Sequence, residues 1–409
     1  MDLELRPVAE AEWEDAFRVD TISFGSDPVG EEEGAAWRAA HEPARCLAVF
    51  DRGRAVAVTA ARSFELTLPG LGLVPVAGIT GMAVLPTHHR RGLLRRMMRF
   101  QVEDAERRGD PVAALTASEA GIYGRFGFGP ATTVTDSTVA TAHAALAAPV
   151  DTGGVRFLDP DEIPKVLPTI LDRARLGQPG DVARSPEWWR LGLLDPEKDR
   201  DGACALLHAV HDPGAGGADG YVTYRVKEAD EHGLPTSVAI VEELVATTPQ
   251  ALAALWGFIV SLDLVQTVDV RRRPLDDPLR WLLADPRRLR TTSVTDHLWV
   301  LLVDVAAALA ARRYAVEGGL VLEVIDEFRP AAAGRFRLEA GPDGAACRRT
   351  DATADVGLSL ADLGALYLGG ACASTLAAAG RLVEHRPGAA AAADSLFASR
   401  PAPFCRTGF

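Results

Sequence analysis

A cationic turn before a helix is the clearest chemical signal in this 409-residue sequence. The turn HHRRGLLR (88–95) follows an apolar run, AGITGMAVLP (77–86). Helix N-termini present free backbone N–H groups and a positive dipole end, so they bind anions. Arginine at this end opposes the dipole, and a bound pyrophosphate would relieve that cost. The turn is neither a P-loop nor a dinucleotide-binding turn, because both glycine patterns are absent. The alternative interpretation is a solvated basic helix start.

A tyrosine lies in a second glycine-rich turn, ASEAGIYGRFGFGPAT (117–132), directly after the apolar run PVAALTAS (111–118). If the two apolar runs form neighbouring strands, Tyr123 lies at the same sheet edge as the cationic turn. Its hydroxyl could then donate a proton to a reacting group. The alternative is a packed side chain whose hydroxyl binds the backbone.

The elements that position these residues follow from apolar periodicity. The run 77–86 predicts a strand, and Leu94, Met98, Val102 and Ala105 form one apolar helix face before Gly109. A later segment repeats the order strand, turn, helix, strand over 237–247, 248–263 and 265–272, without the arginine pair or the glycine. This pattern indicates an internal duplication in which one copy lost the anion site.

Bulk composition excludes several functions. The formal net charge of −13 argues against nucleic acid or anionic membrane as a partner. Five scattered cysteines predict reduced thiols, and the N-terminal segment has no signal-peptide pattern, so we expect a cytoplasmic protein, with non-classical export left open. The pair HAVH (208–211) has no accompanying ligand set, so no metal is predicted.

The stretches GMAVLPTHHRRGLLRRMM and SEAGIYGRFGFGPAT resemble the GNAT superfamily of N-acetyltransferases, and more narrowly its enhanced intracellular survival (Eis) family. The likeness continues through AAWRAA, DPLRWLLADPRRLRTT, LGALYLGGACASTLAAAGRL and the terminal Phe, and covers essentially the whole chain. It implies an α+β fold with three domains: an active GNAT domain (1–148), a degenerate GNAT-like domain (149–292) and a sterol-carrier-protein-like domain (293–409). It also implies a homo-hexamer.

The resemblance implies acetyl-CoA as cosubstrate. The residues it assigns to acetyl-CoA binding are Met82, Ala83, Val84, His89, Arg90, Arg91, Gly92, Leu93, Leu94, Arg95, Ser118 and Glu119. The superfamily pattern Arg/Gln-x-x-Gly-x-Gly/Ala falls here on His89, Gly92 and Leu94. We expect the histidine to weaken one phosphate contact.

The implied chemistry is direct attack of an amine on a thioester. Tyr123 is the implied general acid for the leaving thiolate, and the terminal carboxylate of Phe409 is the implied general base. An isolated terminal carboxylate has a pKa of about 3.3–3.7, so it needs a desolvated pocket or a bridging water. Pro401 and Pro403 favour a docked tail over a frayed one.

The resemblance assigns the acceptor pocket to Trp13, Phe24, Asp27 and Trp37; both tryptophans could instead be core residues. Relative to the family, Gly81 lacks an aromatic ring and Gly408 an acidic group, so we expect a wider or less acidic pocket. The sequence therefore predicts an acetyl-CoA-dependent N-acetyltransferase for primary amines of cationic acceptors, such as aminoglycosides or lysine side chains. The alternative is a CoA-binding regulatory protein or a carrier of apolar ligands.

Overall fold

Three large β-sheets organise the chain. The computed structural model describes residues 3–151, 154–214 and 217–409. Up to Ala140 the strands are β1 (Leu3–Pro7), β2 (Cys46–Asp51), β3 (Arg54–Thr67), β4 (Leu73–Val84), β5 (Val112–Thr116), β6 (Gly129–Pro130) and β7 (Thr133–Ala140). The helices are α1 (Trp13–Phe24), α2 (Glu31–Ala39), α3 (Leu93–Arg108) and α4 (Ala120–Tyr123).

The middle of the chain adds further strands and helices. The strands are β8 (Val155–Phe157), β9 (Leu207–His211), β10 (Gly220–Lys227), β11 (Asp230–Glu231), β12 (Leu234–Pro235), β13 (Ser237–Ala246), β14 (Val265–Pro274), β15 (Leu289–Asp296) and β16 (Leu298–Leu302). The helices are α5 (Ile163–Arg175), α6 (Pro186–Gly192), α7 (Pro249–Val260) and α8 (Leu279–Leu282).

The C-terminal part carries the third sheet. Its strands are β17 (Gly318–Ile325), β18 (Gly334–Gly341), β19 (Gly344–Arg349), β20 (Val356–Ser359) and β21 (Leu382–Glu384). Its helices are α9 (Val305–Ala311), α10 (Leu360–Tyr367), α11 (Ala373–Ala378) and α12 (Ala389–Phe397). Short 3-10 helices lie at Glu10–Glu12, Pro43–Arg45, Pro86–His88, Gly124–Phe126, Thr141–His143, Glu197–Asp199 and Pro286–Arg288.

The first sheet has the order β1-β2-β3-β4-β5-β16-β6. β4 and β5 are parallel and are joined by α3, which confirms the predicted strand, helix and strand. Their register pairs only Val76–Gly78 with Val112–Ala114, so the remainder of β4 has separated from β5. This divergence opens a cleft in the sheet beside the start of α3.

A β-bulge shapes the far end of β4. Val58 pairs with Ala83 and Ala60 pairs with Thr80, so Gly81 and Met82 together oppose a single residue of β3. Gly81 has φ +56°, a left-handed conformation that favours glycine. The strand therefore bulges at Gly81 and Met82.

The second sheet has the order β15-β7-β14-β13-β10-β9-β8, and its parallel pair β13 and β14 is joined by α7. The predicted repeat of strand, helix and strand is confirmed. Two strands cross the predicted domain boundaries: β7 joins the second sheet and β16 joins the first. The boundaries at 148/149 and 292/293 stay a prediction, and the sheets exchange strands across both.

The third sheet has the order β19-β18-β17-β20-β21 and shares a continuous hydrophobic core with the first. The rings of Phe126 and Phe328 join the two parts, with centroids 5.0 Å apart. After α12 the chain returns as a tail, residues 398–409, toward the other two sheets. Within the described ranges, no helix combines the length and hydropathy that a membrane crossing requires.

Candidate active site

The start of α3 is an open helix end. Arg90 (φ +60°) and Gly92 (φ +76°) both adopt left-handed conformations, and Gly92 precedes the first helical residue without a side-chain cap. A non-glycine residue with positive φ is uncommon and is held there by its surroundings. The uncapped N–H groups of the first turn remain available for an anion.

A cleft of about 600 Å³ lies between this helix end, the far half of β4 and the segment around Tyr123. The predicted acetyl-CoA residues that line it are Met82, Ala83, Val84, His89, Arg90, Gly92, Leu93, Leu94, Arg95, Ser118 and Glu119. The exception is Arg91, whose guanidinium donates to the Thr87 carbonyl at 3.1 Å. Sequence reasoning missed Ser23, His88, Ile122, Arg125 and Phe126. The uncapped helix end and the arginines fit an anionic ligand such as a pyrophosphate.

His89 stands at the first position of the superfamily pattern. Its Nε2 lies 2.9 Å from the Val84 carbonyl oxygen, so the ring is tied back to β4. Arg95 lies over the ring of Phe328, 5.0 Å from its centroid. Arg90 and the α3 backbone are therefore the donors best placed for phosphate groups.

Tyr123 lies where two cavities meet. It lines the cleft and also a second cavity of about 790 Å³, and Phe24, Met82 and Ser118 are likewise shared by both. Burial raises the pKa of the Tyr123 hydroxyl, with a smaller contribution from Glu119, while a hydrogen bond with Ser118 opposes the shift. The hydroxyl is therefore protonated at neutral pH and able to donate.

The chain terminus lies in the second cavity. Thr116, at the end of β5, donates its hydroxyl hydrogen to the Phe409 carboxylate, and the Phe409 N–H lies 3.4 Å from the same Oγ1. The Phe409 ring packs on Phe64 with centroids 4.8 Å apart. A Cβ on Gly78 would lie 3.0 Å from the Phe409 ring and closer still to Phe64, so this contact requires glycine. The tail is docked, and the frayed alternative does not apply.

Residues of the middle region hold the tail. Arg406 forms an ion pair with Asp181, which is fully buried, and also donates its N–H to that carboxylate at 3.1 Å. Arg184 donates to the Thr407 hydroxyl at 2.9 Å and pairs with Glu243 at 2.6 Å. The position of the terminal carboxylate therefore depends on groups contributed by another domain.

The second cavity brings together all four predicted acceptor residues: Trp13, Phe24, Asp27 and Trp37. His41 links the two tryptophans, with its ring centroid 5.1 Å from Trp13 and 6.0 Å from Trp37. Trp188, from α6, lies 6.4 Å from Trp37 and 6.2 Å from Phe64. The ring contacts continue from Trp188 through Phe64 to Phe409. The two tryptophans therefore line a cavity, and the alternative of core residues does not apply.

The charge of this cavity is acidic. The acidic side chains that line it are Asp20, Asp27, Glu33 and Asp199. Lys198 also lines it and pairs with Glu33 at 2.9 Å. Burial and the nearby Arg62 lower the pKa of His41 to about 4, so its ring is neutral at pH 7. This lining suits a cation. The expectation of a less acidic pocket considered only the missing acidic group at position 408 and did not take Asp20 into account.

Asp20 and Asp199 are acidic residues of this cavity that the sequence did not predict. A usable signal existed, because Asp20 follows Trp13 by seven residues and precedes Phe24 by four, which places all three on one face of α1. Among the described residues, no group of three or more His, Cys, Asp or Glu side chains is arranged to hold a metal ion.

Comparison with known proteins agrees with this geometry. A model described as an acetyltransferase (GNAT) domain matches residues 4–131, a second GNAT model matches 180–305, and a sterol carrier protein domain matches 305–406. An uncharacterized N-acetyltransferase of Streptomyces avermitilis is 41% identical over the full length of both chains. N-acetyltransferase Eis of Mycobacterium tuberculosis is 39% identical over 93% of each chain. The crystal structure of Eis1 from Mycobacterium abscessus is similar at 37% identity and TM-score 0.87, covering 99% of this chain and 100% of that one.

Proposed function

The chain belongs to the Eis family of GNAT N-acetyltransferases, and from this premise we propose that it acetylates primary amines of cationic acceptors, either aminoglycoside-like molecules or lysine side chains. The observation that carries the proposal is the meeting of two cavities at Tyr123. One has an uncapped helix end suited to phosphate, and the other has an acidic, aromatic lining suited to an ammonium group.

The cleft fits acetyl-CoA, which supplies an acetyl thioester when bound. Arg90 and the first turn of α3 would hold its phosphates. From Ile79 to Val84, a stretch described throughout, β4 has no β5 partner, so backbone groups of Met82 and Ala83 on that edge are open to the ligand, whereas the Val84 carbonyl contacts His89. Ser118 and Glu119 lie on the opposite wall.

The two chemical roles fall to Tyr123 and Phe409. A primary amine is mostly protonated at neutral pH, so it must lose a proton before it attacks. The Phe409 carboxylate accepts that proton, directly or through one water. Tyr123 donates its hydroxyl proton to the departing sulfur atom. A thiol has a pKa of about 8.5 and Tyr123 a higher one, so the position of the hydrogen bond matters more than which of the two groups is the stronger acid.

Thiol release from acetyl-CoA tests the proposal across aminoglycosides, polyamines and lysine peptides. We expect release by the protein with a free C-terminus, and a decrease of about 10²–10⁴-fold in kcat for Tyr123→Phe with an unchanged Kd for acetyl-CoA. Tyr224→Phe is the matched control, because Tyr224 is a buried tyrosine of the second sheet. Acetyl-CoA binding without release by any amine would support the alternative of a regulatory or carrier protein. Full turnover by Tyr123→Phe would reject its role as the acid.

We also propose the homo-hexamer, the cytoplasmic location and the two domain boundaries that the family resemblance implies. Light scattering after size-exclusion chromatography tests the first of these. A mass of six times 43.4 kDa is expected, and a monomer or dimer would contradict it.

A further inference from the structure

Asp20 carries a half-buried carboxylate on α1. Among the described residues, no hydrogen bond or ion pair involves its side chain, although a neighbouring carboxylate on α1, Asp15, pairs with both Arg18 and Arg54. Burial, with no compensating charge, raises the pKa of Asp20 to about 6. At pH 7 the side chain is therefore mostly ionised, at a cost in free energy that no group in the described part of the chain offsets.

The side chain belongs to the face of α1 that lines the second cavity, which we call the acceptor cavity. The residues of that face are Trp13, Ala16, Phe17, Asp20, Thr21 and Phe24. Asp20 is a central member, with an aromatic ring on either side along the helix. An ionic group in this place faces the acceptor and not the solvent outside the cavity.

The bulge in β4 leaves room for a ligand at this carboxylate. A Cβ built on Gly81 would lie 3.6 Å from Asp20 Oδ1, so any larger side chain at this position would contact or cover the carboxylate. The next residue, Met82, lines both the acceptor cavity and the acetyl-CoA cleft. The carboxylate is therefore close to the junction of the two cavities and is uncovered because residue 81 is glycine.

The amine that Asp20 could hold is not the one that reacts. A carboxylate beside an ammonium group stabilises the charged form and raises the amine pKa, which works against the proton loss that attack requires. Proton removal is also already assigned to the Phe409 carboxylate at Thr116. A second, unreactive ammonium group on the same molecule has no such conflict.

We propose that Asp20 binds a second ammonium group of the acceptor, so that this chain selects aliphatic molecules that carry at least two amines. The inference rests on the proposed amine acetylation. It adds a specificity-determining residue and a subsite beside Gly81.

Calorimetric titration of the acetyl-CoA-free protein with hexane-1,6-diamine and with hexylamine tests the subsite, because the two differ by one ammonium group. We expect the diamine to bind about tenfold or more tightly than the monoamine. Asp20→Asn should weaken diamine binding by about 10- to 100-fold, the range expected for a hydrogen bond to a charged group, and should leave hexylamine binding unchanged. Glu14→Gln is the control, because it removes a charge from an exposed position of the same helix outside the cavity.

Steady-state kinetics separate this role from others. For Asp20→Asn we expect a higher KM for the diamine with kcat within about twofold, and Asp20→Glu should restore part of the affinity. Equal diamine affinity in wild type and Asp20→Asn, or an equal loss for both amines, would overturn the inference. A fall in kcat at constant KM would also overturn it, by placing Asp20 in the chemistry. Diamine binding that depends on Asp20 without any thiol release would support the subsite and reject the proposed function.

Discussion

The chain has two GNAT-like regions, the first built on the sheet that contains β4 and β5 and the second on the sheet that contains β13 and β14. Both have the order strand, helix and strand, but they use it differently. In the first, β4 and β5 pair at only three positions and then separate. In the second, β13 and β14 pair at five positions, from Ser237 to Val241, and then also separate over the half of β13 next to α7. A parallel pair that separates leaves backbone groups free, and in the second region Arg273 donates to one of them, the Leu244 carbonyl, at 2.7 Å.

The helix ends differ in the same way. Thr248 caps α7 by accepting a hydrogen bond from Ala251 N–H at 3.1 Å, and its hydroxyl donates to Asp219 at 2.8 Å. The corresponding end of α3 follows Gly92 without a side-chain cap. The second region therefore fills with its own side chains the position that the first leaves open for a ligand.

The second region has kept a structural role in the site. It supplies Lys198 and Asp199 to the lining of the acceptor cavity, Trp188 to the ring of Trp37 behind that lining, and Asp181 and Arg184 to the tail. A GNAT-like region without an anion site therefore still helps to position the tail that carries the Phe409 carboxylate.

The largest effect is expected from moving the terminal carboxylate. Adding one glycine after Phe409 shifts that carboxylate away from Thr116 by roughly one residue length, about 3.5 Å. We expect kcat to fall by about 10²-fold or more, with acetyl-CoA affinity unchanged. Phe409→Leu keeps the carboxylate and loses only the ring contact with Phe64, so it should retain far more activity. Turnover unaffected by the added glycine would remove Phe409 from the mechanism.

The second prediction breaks the link between the two regions. Arg406→Gln removes the ion pair with buried Asp181 and should release the tail. We expect kcat to fall by about tenfold or more while the Kd for acetyl-CoA, measured by calorimetry, stays constant. Arg400→Gln, an exposed change in the same tail, is the control. Wild-type kcat in the Arg406 variant would show that the tail does not need this anchor.

The third prediction concerns the open end of α3. Arg90→Asn removes a cation but keeps a residue that tolerates the left-handed conformation. Since a hydrogen bond to a charged group contributes about 1.5–3 kcal/mol, the KM for acetyl-CoA should rise about tenfold or more. Arg52→Asn makes the same change at an exposed left-handed position in another turn and should have no effect. An unchanged KM in the Arg90 variant would leave phosphate binding to the α3 backbone alone.

Local sequence signals predicted the elements well and the contacts between distant segments poorly. The strand, turn and helix around Gly92 followed from apolar periodicity and glycine chemistry, and so did the repeat that contains α7. The exchange of β7 and β16 between sheets was missed, because strand pairing over long separations leaves no local pattern. The anchoring of Arg406 by Asp181, across more than two hundred residues, was hidden for the same reason.

The candidate site likewise contains residues that a local motif predicts and residues that only the folded chain brings together. Tyr123 and the cationic turn carried recognisable motifs, whereas Asp20 had only its place on one face of α1. Its chemical meaning depends on Gly81, which lies on a different element and faces it only in the folded chain. Lys198 and Asp199 come from the second region, and no pattern within the first could have indicated them.

The smallest predicted effect compares a half-buried carboxylate from each region. Burial alone raises the pKa of Asp20 to about 6. Burial would also raise that of Glu243, but the charge of Arg184 and hydrogen bonds from Arg184 and Tyr221 lower it. An unfolded aspartate loses its proton near pH 4 and folded Asp20 near pH 6, so Asp20 costs stability that grows as pH rises through that window.

Asp20→Asn should therefore stabilise the free protein by about 1–2 kcal/mol at pH 7.5, and by less at pH 4.5, because a two-unit shift corresponds to at most about 3 kcal/mol and partial solvent exposure reduces it. Glu243→Gln should do the opposite at pH 7.5, since it removes a paired carboxylate whose lowered pKa contributes stability above pH 4–5. The other charged groups of the acceptor cavity are common to wild type and Asp20→Asn, so they largely cancel in the difference in stability between the two proteins. These groups are Asp27, Glu33, His41, Lys198, Asp199 and the Phe409 carboxylate. Thermal unfolding at both pH values measures the two variants. A less stable Asp20→Asn protein at pH 7.5 would mean that Asp20 supports the fold, whereas a more stable one is expected of a group that is kept unpaired for a ligand.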